Sequence, residues 1–333
     1  MTTPASTSPP VRFGMIGAGW MGNAITPDFA LCESTELLAL GSRDLEAGRA
    51  FAADRGIPKA ETVDALLADD DIDVVYVATP HHNHHELALA AIEAGKHVLV
   101  EKAFTMNAAE AAEVVAAATA QGVFLMEAMW MRFNPSVLRV LELLRDGAIG
   151  EPRTLIASFG FAAPDSGGRL WDRSRAGGTL LDQGVYPLSL AQLVFGDPLT
   201  VEATGSRLGY GNAPVDVDTE LGALLGYEGG QQAVLATSIR SVLPLTASIG
   251  GAEGSIELAE AFWSDTTYTV RKPDGTRETV TTPREGAGYV PMLRAVAEAV
   301  RAGWTEHPLS PLDATIALMQ TVDRVRDRLD AGY

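Results

Sequence analysis

Val11-Arg12-Phe13-Gly14-Met15-Ile16-Gly17-Ala18-Gly19-Trp20-Met21-Gly22 decides the fold. Val11 to Ile16 reads as a buried strand, and it runs straight into a G-x-G-x-x-G. The residues that follow, Asn23 to Leu31, can be helical, with Pro27 at a kink or near an end. Strand, glycine turn and helix in that order are the context that gives this motif meaning. Gly17 permits the tight turn, Gly19 lets the backbone approach a pyrophosphate, and Gly22 lets helix pack on strand. The helix start offers unpaired N–H groups and a positive dipole end to phosphates. Ala18, Trp20 and Met21 belong to the same candidate dinucleotide-binding turn.

The units downstream repeat that grammar. A strand over Glu36 to Leu40 ends in Gly41-Ser42-Arg43-Asp44. An NAD site places an acid at this strand end to hold the ribose 2′-OH, whereas an arginine accommodates a 2′-phosphate. Here a hydroxyl and a guanidinium stand there, which suits a phosphate, so Ser42 and Arg43 point to NADP rather than NAD. Asp44 reads better as the N-cap of a helix over Leu45 to Arg55. Thr62 to Leu67 is a short helix, and Asp73 to Ala78 is another buried strand ending at Thr79-Pro80. Then comes His81-His82-Asn83-His84-His85. His81 and His85 lie four apart, as a metal pair on a helix would, but no third ligand is clustered with them. The run is read as a cofactor-facing turn involving Thr79, Pro80, His81 and His84, with no metal.

A helix over Glu86 to Ala94 stops at Gly95. Val98-Leu99-Val100 is a short unbroken apolar run, as in a strand covered on both faces. It ends in Glu101-Lys102. Ligands in an open α/β sheet sit outside the carboxyl ends of the strands, so Lys102 stands where chemistry is expected. A helix over Ala108 to Ala120 and a strand over Val123 to Met126 complete a parallel sheet wrapped on both faces. The expected fold class is α/β, with a doubly wound Rossmann domain over residues 10–128. Arg132 lies just beyond, in an aromatic and methionine cluster, and with Glu101 and Lys102 is a further candidate for cofactor contact.

From residue 129 to 333 a second domain is expected, for substrate binding and oligomerisation. Strands are read at Arg153 to Phe159, Val201 to Arg207, Glu220 to Leu225, Gln232 to Ser238, Ser255 to Leu258 and Tyr268 to Val270. They predict a largely antiparallel open sheet. Helices near Val290 to Ala302 and Leu312 to Leu329 close the chain. No helical layer is visible in the sequence for one face of that sheet, so a second copy is expected to cover it, giving at least a homodimer. Between the first two strands, Gly177-Gly178-Thr179-Leu180-Leu181-Asp182-Gln183-Gly184-Val185-Tyr186-Pro187 has an ambiguous helix start. Pro187 favours a first turn. An earlier start near Thr179 would put Asp182 and Tyr186 on one face.

The chain has 333 residues, 47% hydrophobic and 20% charged, with net charge −18. An acidic chain of this kind is not built for nucleic acid, whose phosphates need a basic face. No apolar run is long enough for a spanning helix, and no membrane partner is expected. Cys32 is the one cysteine, which excludes an intramolecular disulfide and fits a reducing cytoplasm. MTTPASTSPP at the start has no basic or apolar region and reads as a disordered lead-in, not a signal peptide.

These residues together resemble the glucose–fructose oxidoreductase, inositol dehydrogenase and dihydrodiol dehydrogenase family. The resemblance rests on Gly17-x-Gly19-x-x-Gly22, Thr79-Pro80 with His84, Gly95-Lys96-His97-Val98 leading to Glu101-Lys102, and Gly177-Gly178 followed by Asp182-x-Gly184-x-Tyr186. It covers nearly all of the chain after residue 10. Tyr186 in place of the common histidine, with Glu127-Ala128-Met129-Trp130 and Arg132-Phe133 upstream, looks most like the dimeric dihydrodiol dehydrogenase and sugar dehydrogenase branch. The family pattern implies that Lys102 lies beside the nicotinamide ribose and that Tyr186 donates or accepts the proton. The family usually reads Glu-Lys-Pro with a cis peptide. Here position 103 is Ala103, and the sequence leaves both isomers open.

The expectation is therefore an NADP-dependent oxidoreductase acting on a secondary alcohol or carbonyl of a sugar, cyclic polyol or trans-dihydrodiol, with Lys102, Tyr186 and Asp182 as catalytic candidates. Two alternatives share the fold: an NADP-binding sensor without turnover, and a sugar enzyme that uses a retained redox cofactor for non-redox chemistry.

Overall fold

The computed structural model describes residues 9–164 and 168–331. The lead-in before Pro9 lies outside the described residues. Two compact units are present. The first takes the residues up to Phe104, Ala109–Trp130 and Glu285–Leu312; the second takes Thr105–Ala108, Met131–Arg284 and the residues from Asp313.

In the first unit the elements alternate as the apolar runs dictate. They are β1 (Val11–Ile16), α1 (Trp20–Leu31), β2 (Thr35–Gly41), α2 (Leu45–Arg55), β3 (Lys59–Glu61), α3 (Val63–Leu67), β4 (Val74–Val77), α4 (His84–Glu93), β5 (His97–Glu101), α5 (Ala108–Gln121) and β6 (Leu125–Ala128). The six strands run parallel in the order β3-β2-β1-β4-β5-β6. Strand order reverses between β1 and β4, so the carboxyl ends there form the crevice where such sheets bind ligands. Helix α1 begins at Trp20, three residues before the sequence reading, because Gly19 itself serves as N-cap. It continues through Pro27, which lies inside the helix. Phe29 of α1 meets Phe13 of β1 edge-on at 5.1 Å.

Next to Pro27, Asp28 is buried, and its carboxylate accepts from Ala287 N at 2.8 Å and Tyr289 N at 2.7 Å. It thus caps the turn that opens a late helix, Val290–Arg301, which packs on α1, β1 and β2. β3 was not visible in the sequence: three residues, Lys59-Ala60-Glu61, carry no apolar alternation.

The second unit comprises α6 (Pro135–Arg145), β7 (Pro152–Gly160), α7 (Val185–Phe195), β8 (Thr200–Ser206), β9 (Glu220–Gly226), β10 (Gln232–Ser238), β11 (Ala247–Gly251), β12 (Gly254–Leu258), β13 (Thr267–Arg271) and β14 (Arg277–Thr281). After these come α8, the late helix already described, and α9 (Leu312–Ala331). Eight strands form one sheet in the order β14-β13-β12-β11-β7-β10-β9-β8. Every neighbouring pair is antiparallel except β7 with β10.

β11 and β14 were also unforeseen. β11 ends in two glycines, and β14 is almost wholly polar, held by threonine pairs Thr267–Thr281 and Thr269–Thr279 across the hairpin. Alternation sets the two faces of the sheet. Leu155, Ala157, Ala233, Leu235 and Leu221 are buried, and α7 packs on β7 and β10. On the opposite face Ile156, Val234 and Leu224 are 55%, 42% and 45% exposed. These three stand side by side in register across three strands. No helix among the described residues is long and apolar enough to cross a membrane.

Candidate active site

The first unit builds a cavity of about 750 Å³ at the strand ends. Gly17, Ala18, Gly19, Ser42, Arg43, Thr79 and Pro80 line it, together with Asn83, Glu86 and Leu87, which sequence reasoning had not singled out. The glycines are there for different reasons. Gly17 sits at φ +114°, and a Cβ on it would lie 2.7 Å from the carbonyl oxygen of Ala78. A Cβ on Gly22 would lie 2.6 Å from the carbonyl oxygen of Gly17. Gly19 is the opposite case: a Cβ there meets nothing within 4 Å. Its open flank is where a pyrophosphate fits against the start of α1, whose first turn holds no acid and whose N-cap brings no side-chain acceptor.

At the end of β2, Asp44 is indeed a cap, its carboxylate accepting from Ala47 N at 3.0 Å. Ser42, whose hydroxyl donates to Asp44 O at 2.7 Å, the exposed Arg43 and Asp44 itself form the polar lining at that end. The Arg43 guanidinium suits a phosphorylated ribose, so the residues present fit a dinucleotide.

Lys102 leaves β5 from a turn pinned on two sides. On one side, Tyr76 of β4 donates its hydroxyl to Glu101 Oε1 at 2.5 Å, and Glu101 Oε2 accepts from Lys102 N at 3.2 Å. Burial is the main influence on this carboxyl and pushes it up to about 7, against the Tyr76 hydroxyl and the Lys102 cation. On the other side, His84 sets its ring nitrogens 2.8 Å from Thr79 O and 2.9 Å from Ala103 O. It therefore ties the turn after β4 to the turn after β5. Burial holds this imidazole below its ordinary value. The Lys102–Ala103 peptide is cis, which answers the question the sequence left open.

The rest of the histidine run disperses. His81 is buried edge-on to His84, and His85 Nε2 lies 2.8 Å from Glu113 Oε2. Among the described residues no three His, Cys, Asp or Glu side chains gather as metal ligands would. Trp20, which is 77% exposed, Met21, Gly22, His81, His84, Glu101 and Lys102 are not among the lining residues of the cavity.

In the second unit the glycine pair explains the ambiguous helix start. Gly177 and Gly178 pass so close to the preceding turn that a Cβ on Gly177 would lie 2.5 Å from Arg169 O. From Thr179 the chain winds as a π-helix over Leu180–Gly184 and continues as α7. The early start is therefore the observed one, and Pro187 is still accommodated in the first turn of α7. Widened turns of this kind recur at functional sites.

Asp182 lies in the π segment and is bound by Arg169, whose Nη2 donates to Oδ1 at 2.6 Å. Tyr186 is buried with ring centroids 5.7 Å from Phe159 and 5.6 Å from Trp263. Phe159 and Trp263 stack on each other at 3.8 Å. Arg169, Phe159 and Trp263 were missed because their partners lie far off in sequence. Arg132 turns its guanidinium to α7, with Nε 3.2 Å from Ser189 Oγ and Nη2 2.5 Å from Gln192 Oε1.

Comparison with known proteins agrees with this construction. Residues 11–129 match the model of an oxidoreductase family with an NAD-binding Rossmann fold, and residues 137–257 match the GFO/IDH/MocA C-terminal domain. The chain is 35% identical to trans-1,2-dihydrobenzene-1,2-diol dehydrogenase of Mus musculus, over 97% of this chain and 98% of that one. A 3-ketoreductase from Actinomadura kijaniata, solved with NADP and TDP-benzene, superposes with a TM-score of 0.86 at 30% identity, covering 96% of this chain and 98% of its own. The aldose-aldose oxidoreductase of Caulobacter crescentus, complexed with glycerol, gives a TM-score of 0.89 at 25% identity, covering 97% and 98%. The protein is an NAD(P)-dependent enzyme of the dehydrogenase or reductase type, acting on hydroxyl or carbonyl groups. The chain belongs to the GFO/IDH/MocA family of oxidoreductases.

Proposed function

We propose that the chain moves a hydride between NADP and a secondary alcohol or carbonyl of a sugar, cyclic polyol or trans-dihydrodiol. The observation that carries the cofactor choice is that Ser42 and Arg43 line the cavity at the end of β2, where an NAD site favours an acid, while Asp44 beside them caps α2. For the substrate class, the Tyr186 hydroxyl sits on a ring flanked by the stacked pair Phe159 and Trp263, a wall suited to the C–H face of a cyclic substrate. Likeness to dihydrodiol dehydrogenases and to a sugar ketoreductase supports the same range.

Bound NADP supplies the hydride acceptor or donor. The protein must handle the proton, because the hydroxyl proton leaves as the carbinol carbon gives up hydride. A positioned acid/base is worth about 10²–10⁴-fold, and Tyr186 is assigned that role. A phenol near its ordinary value of about 10 is a poor base at neutral pH. A lysine cation beside it would favour the phenolate, and Lys102 is assigned that part. Asp182, steadied by Arg169, orients the substrate hydroxyl.

The apolar row Ile156, Val234 and Leu224 on the open sheet face supports assigning that face to a second copy, giving at least a dimer. A cytoplasmic setting is inferred from the one cysteine, Cys32, which is free and buried. Incubating the protein with cyclic polyols, aldoses and trans-dihydrodiols, each with NADP and with NAD, tests the reading by absorbance at the nicotinamide band. Turnover with at least one of these and NADP is expected; reduction of neither cofactor by any of them would overturn it.

A further inference from the structure

We propose that Asp218 is a positioning residue for the Asp182–Tyr186 segment, an external cap that fixes where this π-wound turn begins. The proposal rests on the roles given above to Asp182 and Tyr186. Thr179 is the N-cap of the turn, yet its side chain gives no cap hydrogen bond; its hydroxyl goes to Gln183 instead. The first donors of the turn are satisfied from 38 residues away, by Asp218: its Oδ2 accepts from Leu180 N at 2.6 Å. The main-chain oxygen of the same residue accepts from Thr179 N at 2.8 Å.

The fit is close. Gly178 sits at φ +105°, and a Cβ there would lie 2.2 Å from Asp218 Oδ1, so glycine is what lets the carboxylate in. Asp218 itself is firmly placed. The next residue, Thr219, is fully buried, and its hydroxyl is 3.0 Å from both Ser206 O and Leu208 O. Two anchors thus act on one turn. Arg169 holds the Asp182 carboxylate, and Asp218 holds the backbone donors that precede it. Loss of the second would let the turn rewind and move Tyr186. A misplacement of about 1 Å at a reacting group can cost about 100-fold in rate.

The test compares Asp218→Ala with Asp218→Asn, which keeps an oxygen for Leu180 N in the same shape. Asp218→Ala should lower kcat by about 100-fold, leave NADP affinity unchanged and speed hydrogen exchange at the Leu180 amide, the one whose acceptor is the side chain. Asp218→Asn should restore kcat to within about threefold and restore the protection. A folded Asp218→Ala protein with wild-type kcat, or with unchanged exchange at the Leu180 amide, overturns the proposal, as does an Asn variant as slow as Ala. Should the Ala variant not fold, Asp218→Ser takes its place. Failure of both to fold also overturns it, because the residue would then serve the whole unit and not one turn. Exchange needs no turnover, so a wild type inactive on every substrate counts against the proposed function while the exchange comparison still decides on Asp218.

Discussion

Glu101→Gln should flatten the pH dependence of stability. The Glu101 carboxyl is buried at the end of β5, and its value rises from 4.5 to about 7 on folding. Between those two values the folded protein keeps a proton that the unfolded chain has released. Stability contributed by this group is therefore complete below 4.5 and is lost as pH rises through about 7. The gap corresponds to about 3 kcal/mol. Glutamine keeps an oxygen for the Tyr76 hydroxyl, but it sets an amide N–H against the Lys102 N–H where Oε2 had accepted. That mismatch costs the same at every pH. The slope, and not the offset, carries the test. Urea unfolding of both proteins from about pH 4.5 to about pH 8 should show the variant gaining about 3 kcal/mol on wild type across the range. Parallel curves would refute the claim that this carboxyl is charged at the expense of the fold. Tyr76→Phe removes the hydroxyl that favours the charged form, so its curve should be steeper than wild type.

Three further outcomes follow from the geometry. NADP should be preferred to NAD in kcat/KM, and Arg43→Asp should lower the NADP value by about 10–100-fold while sparing NAD, since a charge-assisted hydrogen bond is worth about 1.5–3 kcal/mol; a wild type that prefers NAD would contradict the assignment of Ser42 and Arg43. Gly17→Ala should cost at least about 1 kcal/mol of stability, because of its φ and the Ala78 carbonyl, whereas Gly19→Ala should keep the wild-type Tm and lose cofactor affinity; equal Tm losses in both would remove the distinction drawn between them. Light scattering at micromolar concentration should find at least a dimer, and Val234→Glu, at the centre of the exposed row, should yield a monomer; a monomeric wild type would dismiss the open face as a dimer surface.

The nucleotide half was readable because its constraints are local. Gly22 clears the Gly17 carbonyl within one turn and the motif spells the glycines out, although the Ala78 carbonyl that Gly17 also clears lies just past another strand, β4. Lys102 was readable as a residue at a strand end. What pins its turn was not: Tyr76 lies on another strand, and His84 works through the carbonyls of Thr79 and Ala103, which no side chain announces. The same holds around Asp182. Its cation, Arg169, is 13 positions upstream, and the carboxylate that caps its turn is Asp218, beyond β8. Pro187 left the helix start undecided because the sequence does not signal π winding. The polar β14 escaped notice because its pairing rests on threonine hydroxyls and backbone rather than on an apolar face.

The most direct test of the account is turnover by Tyr186→Phe, which keeps the ring beside the stacked Phe159 and Trp263 and deletes only the hydroxyl. It is to be measured with the best alcohol from the panel and saturating NADP, beside NADP affinity by fluorescence. The account predicts a loss of turnover of about 10²–10⁴-fold with affinity nearly unchanged. Lys102→Met should also slow turnover, and the double variant should lose less than the product of the two, because residues acting as a unit are not additive. Near-normal turnover in Tyr186→Phe would reduce Tyr186 to packing and send the proton through Lys102, Asp182 or a histidine of the 81–85 run.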